Sequence, residues 1–302
     1  MFRKGQNYRV FIGNNVVAEE TSCSITRGVD TESANNKDIA ADSTSGEISG
    51  DVPVATYKTL TIQVEAQGVG AKTLFAAAFD LMKDGGGDVG FAPTTGVNNA
   101  VGTPTYYKAI CNDLTINAPN RQPVTCSAQF TVIPGTPGTH TPVVPSPVDP
   151  ATYRVLKGEF LRLFDDEGYA VVYATSVSLH VSLSMEESTT KDDDSTNALG
   201  YKSQTPTMIN YDITSECLYG GGIGGWTEGD VFDWDICDAS GSQQRTKGTA
   251  LAWGTAMVTN IAMNAPVNGN ITWNATLTGV GKLNPDTSDD DDSNEGGGGG
   301  NG

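Results

Sequence analysis

Residues 115–133 read TINAPNRQPVTCSAQFTVI, and residues 262–280 read AMNAPVNGNITWNATLTGV. Each carries Asn-Ala-Pro, a short polar gap, and then a run that alternates apolar and polar. A chain that repeats itself must build each folding unit from about half its length, so self-similarity constrains the fold before any local propensity does. Placing Asn117, Ala118 and Pro119 on Asn264, Ala265 and Pro266 also brings Ala109 onto Ala256, Thr125 onto Thr272, Ala128 onto Ala275 and Thr131 onto Thr278, without a gap.

Two further blocks repeat in the same order. KGQNYRVF at 4–11 answers KGEFLRLF at 157–164, and TSCSI at 21–25 answers TSVSL at 175–179. In the middle, YKTLTIQVEA at 57–66 aligns with NYDITSECLY at 210–219. Three blocks in one order imply a tandem duplication. The expected organisation is a first domain at 1–133, a Pro-rich linker at 134–153, a second domain at 154–283 and an acidic, Gly-rich tail at 284–302. Prolines disfavour ladder pairing and favour extended backbone, so the linker reads as a semi-rigid strap. The tail has too few apolar residues to bury and is expected to be disordered.

The expected fold is mainly β: two tandem β-sandwich or barrel-like domains, the first with a flanking helix. Short alternating runs punctuated by Gly, Pro and Asn support strands at 8–12, 16–25, 59–66, 106–116 and 123–133. Leu74, Ala78 and Leu81, with Phe75, Phe79 and Met82, recur at helical spacing within 70–87, and Gly85 is the expected stop. The corresponding stretch of the second copy, GGGIGGW, is too rich in glycine for a helix, at about 1 kcal/mol per glycine relative to alanine. An irregular loop and a strand at 231–237 are expected there. Residues 27–52 read as a long loop or projecting hairpin.

No chemistry stands out. The two histidines, His140 in the strap and His180 in a strand, read as a solvated linker residue and a surface or satisfied strand residue. Asp192 to Asp194 and Asp289 to Asp292 lack the spacing of a calcium loop and read as solvated charge. Each of four cysteines aligns with an apolar residue: Cys23 with Val177, Cys111 with Val258, Cys126 with Trp273 and Cys217 with Val64. They are expected to act as small buried hydrophobes, with no disulfide framework. Neither a catalytic, cofactor nor metal site is expected. No export signal or spanning segment is visible, and membrane binding is not expected. The net charge of −18 argues against a protein that grips nucleic acid.

In element order each half resembles the tail tube protein family of long-tailed bacteriophages. The resemblance rests on an N-terminal strand pair entering as KGxxxRxF, a long acidic-polar excursion, a strand ending at a short helix, and a final strand reading TCSAQFTV or TWNATLTG. It implies β-sandwiches that form six-fold rings around a lumen, the rings stacking through the long loop of each domain. Three two-domain chains would make one pseudo-hexameric ring. Carried over by position, Asp30, Glu32, Asn36, Lys37 and Asp38 in the first copy would serve as stacking-loop residues. Glu186, Glu187, Lys191, Asp192 and Asp193 would do so in the second. Asp51, Glu65, Asp212 and Glu216 are the candidate acids of a lumen that repels DNA phosphates. The implied setting is the virion tail, assembled in the host bacterial cytoplasm. The implied partners are further copies of the chain, tail-tip and terminator proteins, and, transiently inside the tube, the tape-measure protein and DNA. The alternatives are a tandem β-sandwich adhesin, another tail component (tail-tip ring, terminator or contractile-system inner tube), or a carbohydrate-active enzyme with a tryptophan-lined groove. Trp273 and Trp253 fall on expected core strands, which argues against the last.

Overall fold

A computed structural model of the chain describes residues 8–33, 53–95, 100–143, 156–165, 168, 170–171, 173–189, 199–219, 225–238 and 250–285. Strands β1 (Tyr8–Ile12), β2 (Asn15–Val16), β3 (Glu20–Ser33) and β4 (Pro53–Gln67) lead into helix α1 (Gly68–Lys83). Then come β5 (Gly87–Thr95), β6 (Ala100–Val101), β7 (Thr105–Pro119) and β8 (Thr125–Val132). The second half runs through a 3₁₀ turn, Gly158–Phe160, into β9 (Leu161–Phe164), β10 (Ala174–Glu187), β11 (Gln204–Leu218), β12 (Val231–Asp238), β13 (Ala250–Asn264) and β14 (Thr272–Pro285). The fold is mainly β, and α1 is the only α-helix among the described residues. β3 and β4 run further than periodicity indicates, because the excursion after Ile25 begins as a paired hairpin arm whose ladder extends to Ser33 opposite Pro53.

The described residues divide between two compact units. One draws on 1–114, 126–153 and 181–210, the other on 115–125, 154–180 and 211–302. Neither unit is a continuous stretch of sequence. The tip of the first Asn-Ala-Pro hairpin belongs to the second unit, and the far half of β10 and the near half of β11 belong to the first.

In the first unit β4 alternates strictly: Leu60, Ile62, Val64 and Ala66 are buried while Thr61, Gln63 and Glu65 look outward. The inward set meets the apolar stripe of α1, where Leu74, Phe75, Ala78, Phe79 and Met82 are buried. Cys126, Ala128, Phe130 and Val132 of β8 extend the same core. Helix α1 lacks a side-chain cap on its own N-terminus. Glu19 supplies the missing acceptors from outside: its carbonyl accepts from Gln67 N at 3.2 Å and its Oε2 accepts from Gly70 N at 3.4 Å. Reaching that position holds Glu19 at φ +50°, an uncommon conformation for a residue with a Cβ. At the other end the chain turns out of the helix at Gly85, φ +76°.

In the second unit Tyr211 is the central aromatic. Its ring lies over Gly279, where a Cβ would come within 2.4 Å of it, and its hydroxyl donates to Thr255 O at 2.6 Å. Trp234 packs beside it at 5.8 Å between ring centroids. Val177, Leu179, Ile213, Cys217, Val258 and Leu277 complete the apolar layer.

Local geometry recurs between the halves. β1 pairs β5 and β5 pairs β7; likewise β9 pairs β12 and β12 pairs β13. β8 lies between β4 and β7, as β14 lies between β11 and β13. Val17 N donates to Val10 O, and Val171 N to Leu163 O, both at 2.9 Å. Tyr173 (φ +55°) accepts from Leu218 N at 3.1 Å, as Glu19 accepts from Gln67 N. The last pair corrects the alignment of the middle block by two residues. Glu216 corresponds to Glu65, and Cys217 to Ala66 rather than Val64. A shift of two preserves the strand face, so the alternation pattern accommodates either register.

Candidate assembly surface

The outward faces of the two units are polar, and the charges at their paired positions are carboxylates. In the first, Ser22, Ser24 and Thr26 of β3 stand directly across from Glu65, Gln63 and Thr61 of β4. Ser22 Oγ donates to Glu65 Oε2 at 2.8 Å, and Gln63 Nε2 donates to Gln129 Oε1 of β8 at 2.8 Å, which places Gln129 on the same face. In the second, Asp212, Thr214 and Glu216 of β11 pair with Thr278, Thr276 and Asn274 of β14, and Thr278 Oγ1 donates to Asp212 Oδ1 at 2.8 Å. No lysine or arginine occurs at these positions. Short hydroxyl and amide side chains, tied to each other and to these carboxylates, make a hydrophilic surface that offers a phosphate no cation at these positions.

Of the candidate lumen acids, Glu65, Asp212 and Glu216 lie on these outward faces, with Glu65 and Glu216 at corresponding positions; Asp51 lies outside the described residues. Of the stacking-loop candidates, Asp30 and Glu32 are exposed on the β3 half of the arm, and Glu186 and Glu187 are exposed at the end of β10. Asn36, Lys37, Asp38, Lys191, Asp192 and Asp193 lie outside the described residues. Glu187 pairs with Lys202 at 3.0 Å. Sequence reading missed how the segment after residue 198 is used. Lys58 N donates to Gly200 O at 2.8 Å, Tyr201 packs edge-on to Tyr107, and Lys202 Nζ lies over the Tyr57 ring. That segment is therefore fastened to the root of the first arm within the first unit.

The first part of the strap is also bound. His140 is not a solvated linker residue. Its Nε2 lies 2.6 Å from Asp88 Oδ2, its ring centroid lies 4.7 Å from that of Tyr106, and its side chain is only 17% exposed. Asp88 also takes Lys108 Nζ at 2.7 Å and Gly138 N at 2.8 Å. Further along, Thr141 N donates to Asn14 Oδ1 and Val143 N to Asn14 O. Burial raises the Asp88 pKa, but hydrogen bonds from Lys108, His140 and Gly138 N, with the Lys108 charge, outweigh it and hold the carboxyl at about 2. Because the folded value lies below the ordinary 3.8, this anchor is intact above about pH 4 and is lost as the pH falls toward 2. Asp88→Asn is expected to free the strap at neutral pH. Losing charge-assisted bonds worth about 1.5–3 kcal/mol should cut amide exchange protection at Gly138 and Thr141 by about 10–100-fold. Hydrogen exchange by mass spectrometry checks this; unchanged protection would mean the Asn14 contacts suffice.

None of the five cysteines forms a disulfide. Cys111, Cys126, Cys217 and Cys237 are buried, and Cys23 is half-exposed. Burial, aided by neighbouring Glu20, pushes the Cys23 thiol up to about 12, and burial takes Cys111 to about 12 as well, so these are not activated nucleophiles. His180 faces outward, half-buried, from β10. Trp253, expected in a core, stands 41% exposed on β13. Trp273 is half-buried and stacks on Tyr219 with ring centroids 6.3 Å apart. Among the described residues no cluster of His, Cys, Asp or Glu has a metal-holding arrangement. No described helix is long and apolar enough to cross a membrane, which says nothing of β-barrels. No protein-family model matches the chain, and a search of curated proteins finds no match.

Proposed function

We propose that the chain is a structural protein of a bacteriophage tail. Copies of it assemble into stacked rings that form the tail tube, each chain contributing two tube domains that arose by tandem duplication. The observation that carries this reading is the pair of outward sheet faces. Their paired outward positions are hydrophilic, carry no lysine or arginine, and bear Glu65 and Glu216 at corresponding positions. A bore for DNA needs such a lining, because a cationic surface would hold phosphates through counterion release. The duplication is supported by the recurring ladder order and by Glu19 and Tyr173 sharing one strained conformation. In this reading the protein is not an enzyme and works in the virion tail after assembly in the bacterial cytoplasm. The β3–β4 arm and the end of β10, with Asp30, Glu32, Glu186 and Glu187 exposed, are the elements that stack ring on ring.

Negative-stain electron microscopy of the concentrated protein tests the reading. Hollow tubes or rings with six-fold modulation are expected. Monomers at every concentration, or solid filaments without a bore, would overturn it.

A further inference from the structure

Two grooves occupy corresponding places in the two units. In the second unit Arg162, Thr175, Ser176 and Val177 line a groove of about 190 Å³, and Asn120, from the tip of the first Asn-Ala-Pro hairpin, closes it. The tip is built in: Asn120 N donates to Thr175 O at 2.9 Å, Val124 N to Leu156 O at 3.0 Å, and Gly158 N to Gln122 O at 2.8 Å. Gly158 is required there, since a Cβ would come within 2.3 Å of Pro119 O. In the first unit Arg9, Thr21, Ser22 and Cys23 line a groove of about 650 Å³, with Tyr8 at its edge and no hairpin tip among its lining residues. Thr21 sits in a bulge between Glu20 and Ser22, outside the ladder to β4.

The second Asn-Ala-Pro hairpin shows the complementary deficit. In the first hairpin Ile116, Ala118 and Val124 are buried to 3%, 4% and 0% exposure. At the corresponding positions of the second, Met263 is 55% and Ile271 37% exposed and Ala265 is exposed too, while Val267, which answers the likewise exposed Asn120, is 99% exposed. The apolar flanks of the hairpin are thus covered in one copy and bare in the other, while the turn residues of the first are held by backbone hydrogen bonds. Met208 repeats the pattern. It is 57% exposed where its counterpart Tyr57 lies under Lys202.

We infer that the Met263–Ile271 hairpin of one chain docks into the Arg9–Cys23 groove of a second copy, reproducing between chains the contact that the first hairpin makes within the second unit. The occupant is a second copy because the chain already contains both the plug and a filled example of the socket. Val267 N then donates to Thr21 O, as Asn120 N does to Thr175 O. Plug and socket lie on different surfaces, so the contact is head-to-tail, and it propagates until it closes into a ring. The inference rests on reading the chain as a duplicated, self-associating protein and specifies which surfaces meet.

Site-directed crosslinking of the full chain tests it. The variant carries Thr21→Cys and Val267→Cys in a Cys23→Ser background, which leaves only the buried cysteines otherwise. Backbone atoms of residues 21 and 267 placed in hydrogen-bond contact bring the two cysteines within about 7 Å between Cα atoms, the reach of a disulfide. Mild oxidation should give a ladder of inter-chain disulfides ending at the ring size, with the 21–267 link identified by mass spectrometry and neither single cysteine giving a ladder. In parallel, Val267→Asp, whose side chain is solvent-exposed in the single chain, should weaken association at least about tenfold in sedimentation. Its circular dichroism and melting should stay those of the parent. Tubes in the microscope with no 21–267 link would overturn this contact and leave the tube reading standing. Linked chains that form no tube would sustain the contact and overturn the tube. A link formed within one chain, or a parent protein that never associates, would overturn the contact outright.

Discussion

Gly70→Ala will destabilise the protein by about 3–5 kcal/mol, although it puts the best helix former in place of one of the worst. Two effects compete. Propensity favours alanine by about 1 kcal/mol in a helix interior. Against it, a Cβ on Gly70 would sit 2.1 Å from Ala18 O and 2.8 Å from Glu19 Cβ, and the first of these is backbone that has no rotamer to escape into. Relief requires moving either α1 or the strained Glu19 turn, and that turn supplies the acceptors for the N-terminus of the helix. Overpacking and the loss of those acceptors therefore add. Thr73→Ala, on the exposed side of the same helix, serves as the control and should stay within about 0.5 kcal/mol of the parent. Urea unfolding of both variants decides it. A Gly70→Ala protein as stable as the parent would mean that the helix rides free of the turn beneath it.

The second large effect concerns DNA. Glu65→Lys combined with Glu216→Lys places cations at corresponding points of both outward faces. It shifts the net charge by four from −18, so the chain remains strongly acidic overall. Both residues are on outward faces, and Glu65 gives up a single exposed hydrogen bond from Ser22, so the melting behaviour should barely change. Tubes of the parent should not retain double-stranded DNA at physiological salt. Tubes of the variant should acquire non-specific affinity with a dissociation constant of about 10⁻⁴–10⁻⁶ M, weakening steeply as salt is raised. If the chain lines the proposed tube, the same change should slow DNA passage, since the lysines would recur at every ring. Filter binding across a salt series measures the first effect. A double variant that is as indifferent to DNA as the parent would remove these two faces from the bore.

Strand identity was legible along much of the chain because it depends on neighbours two residues apart, but β5, GDVGFAPTT with two glycines and a proline, gave no such signal. The alternation in β4 and β8, the helical spacing of Leu74, Phe75, Ala78 and Phe79, and the stop at Gly85 are all local quantities. The repeat was legible for the same reason, since Asn-Ala-Pro and its following strand keep their order in both halves. Glu65, Asp212 and Glu216 alternate with buried Val64, Ala66, Tyr211, Ile213, Ser215 and Cys217, which turns all three outward.

What the residues did not reveal by themselves is who pairs with whom across long separations. Alternation has a period of two, so sliding one strand by two residues leaves every side chain on its face. Only hydrogen bonds such as Gln67 N to Glu19 O and Leu218 N to Tyr173 O distinguish the registers, and these bring Glu65 into line with Glu216. His140 reads as a linker residue until Asp88, 52 positions away, is brought to 2.6 Å. Most of all, the two Asn-Ala-Pro hairpins have different surroundings. Ile116, Ala118 and Val124, which flank the first turn, are buried and that turn is hydrogen-bonded to Thr175 and Gly158, whereas Met263, Val267 and Ile271 of the second stand exposed. A sequence specifies the plug and the socket alike; their pairing depends on which ones the folded chain brings within reach.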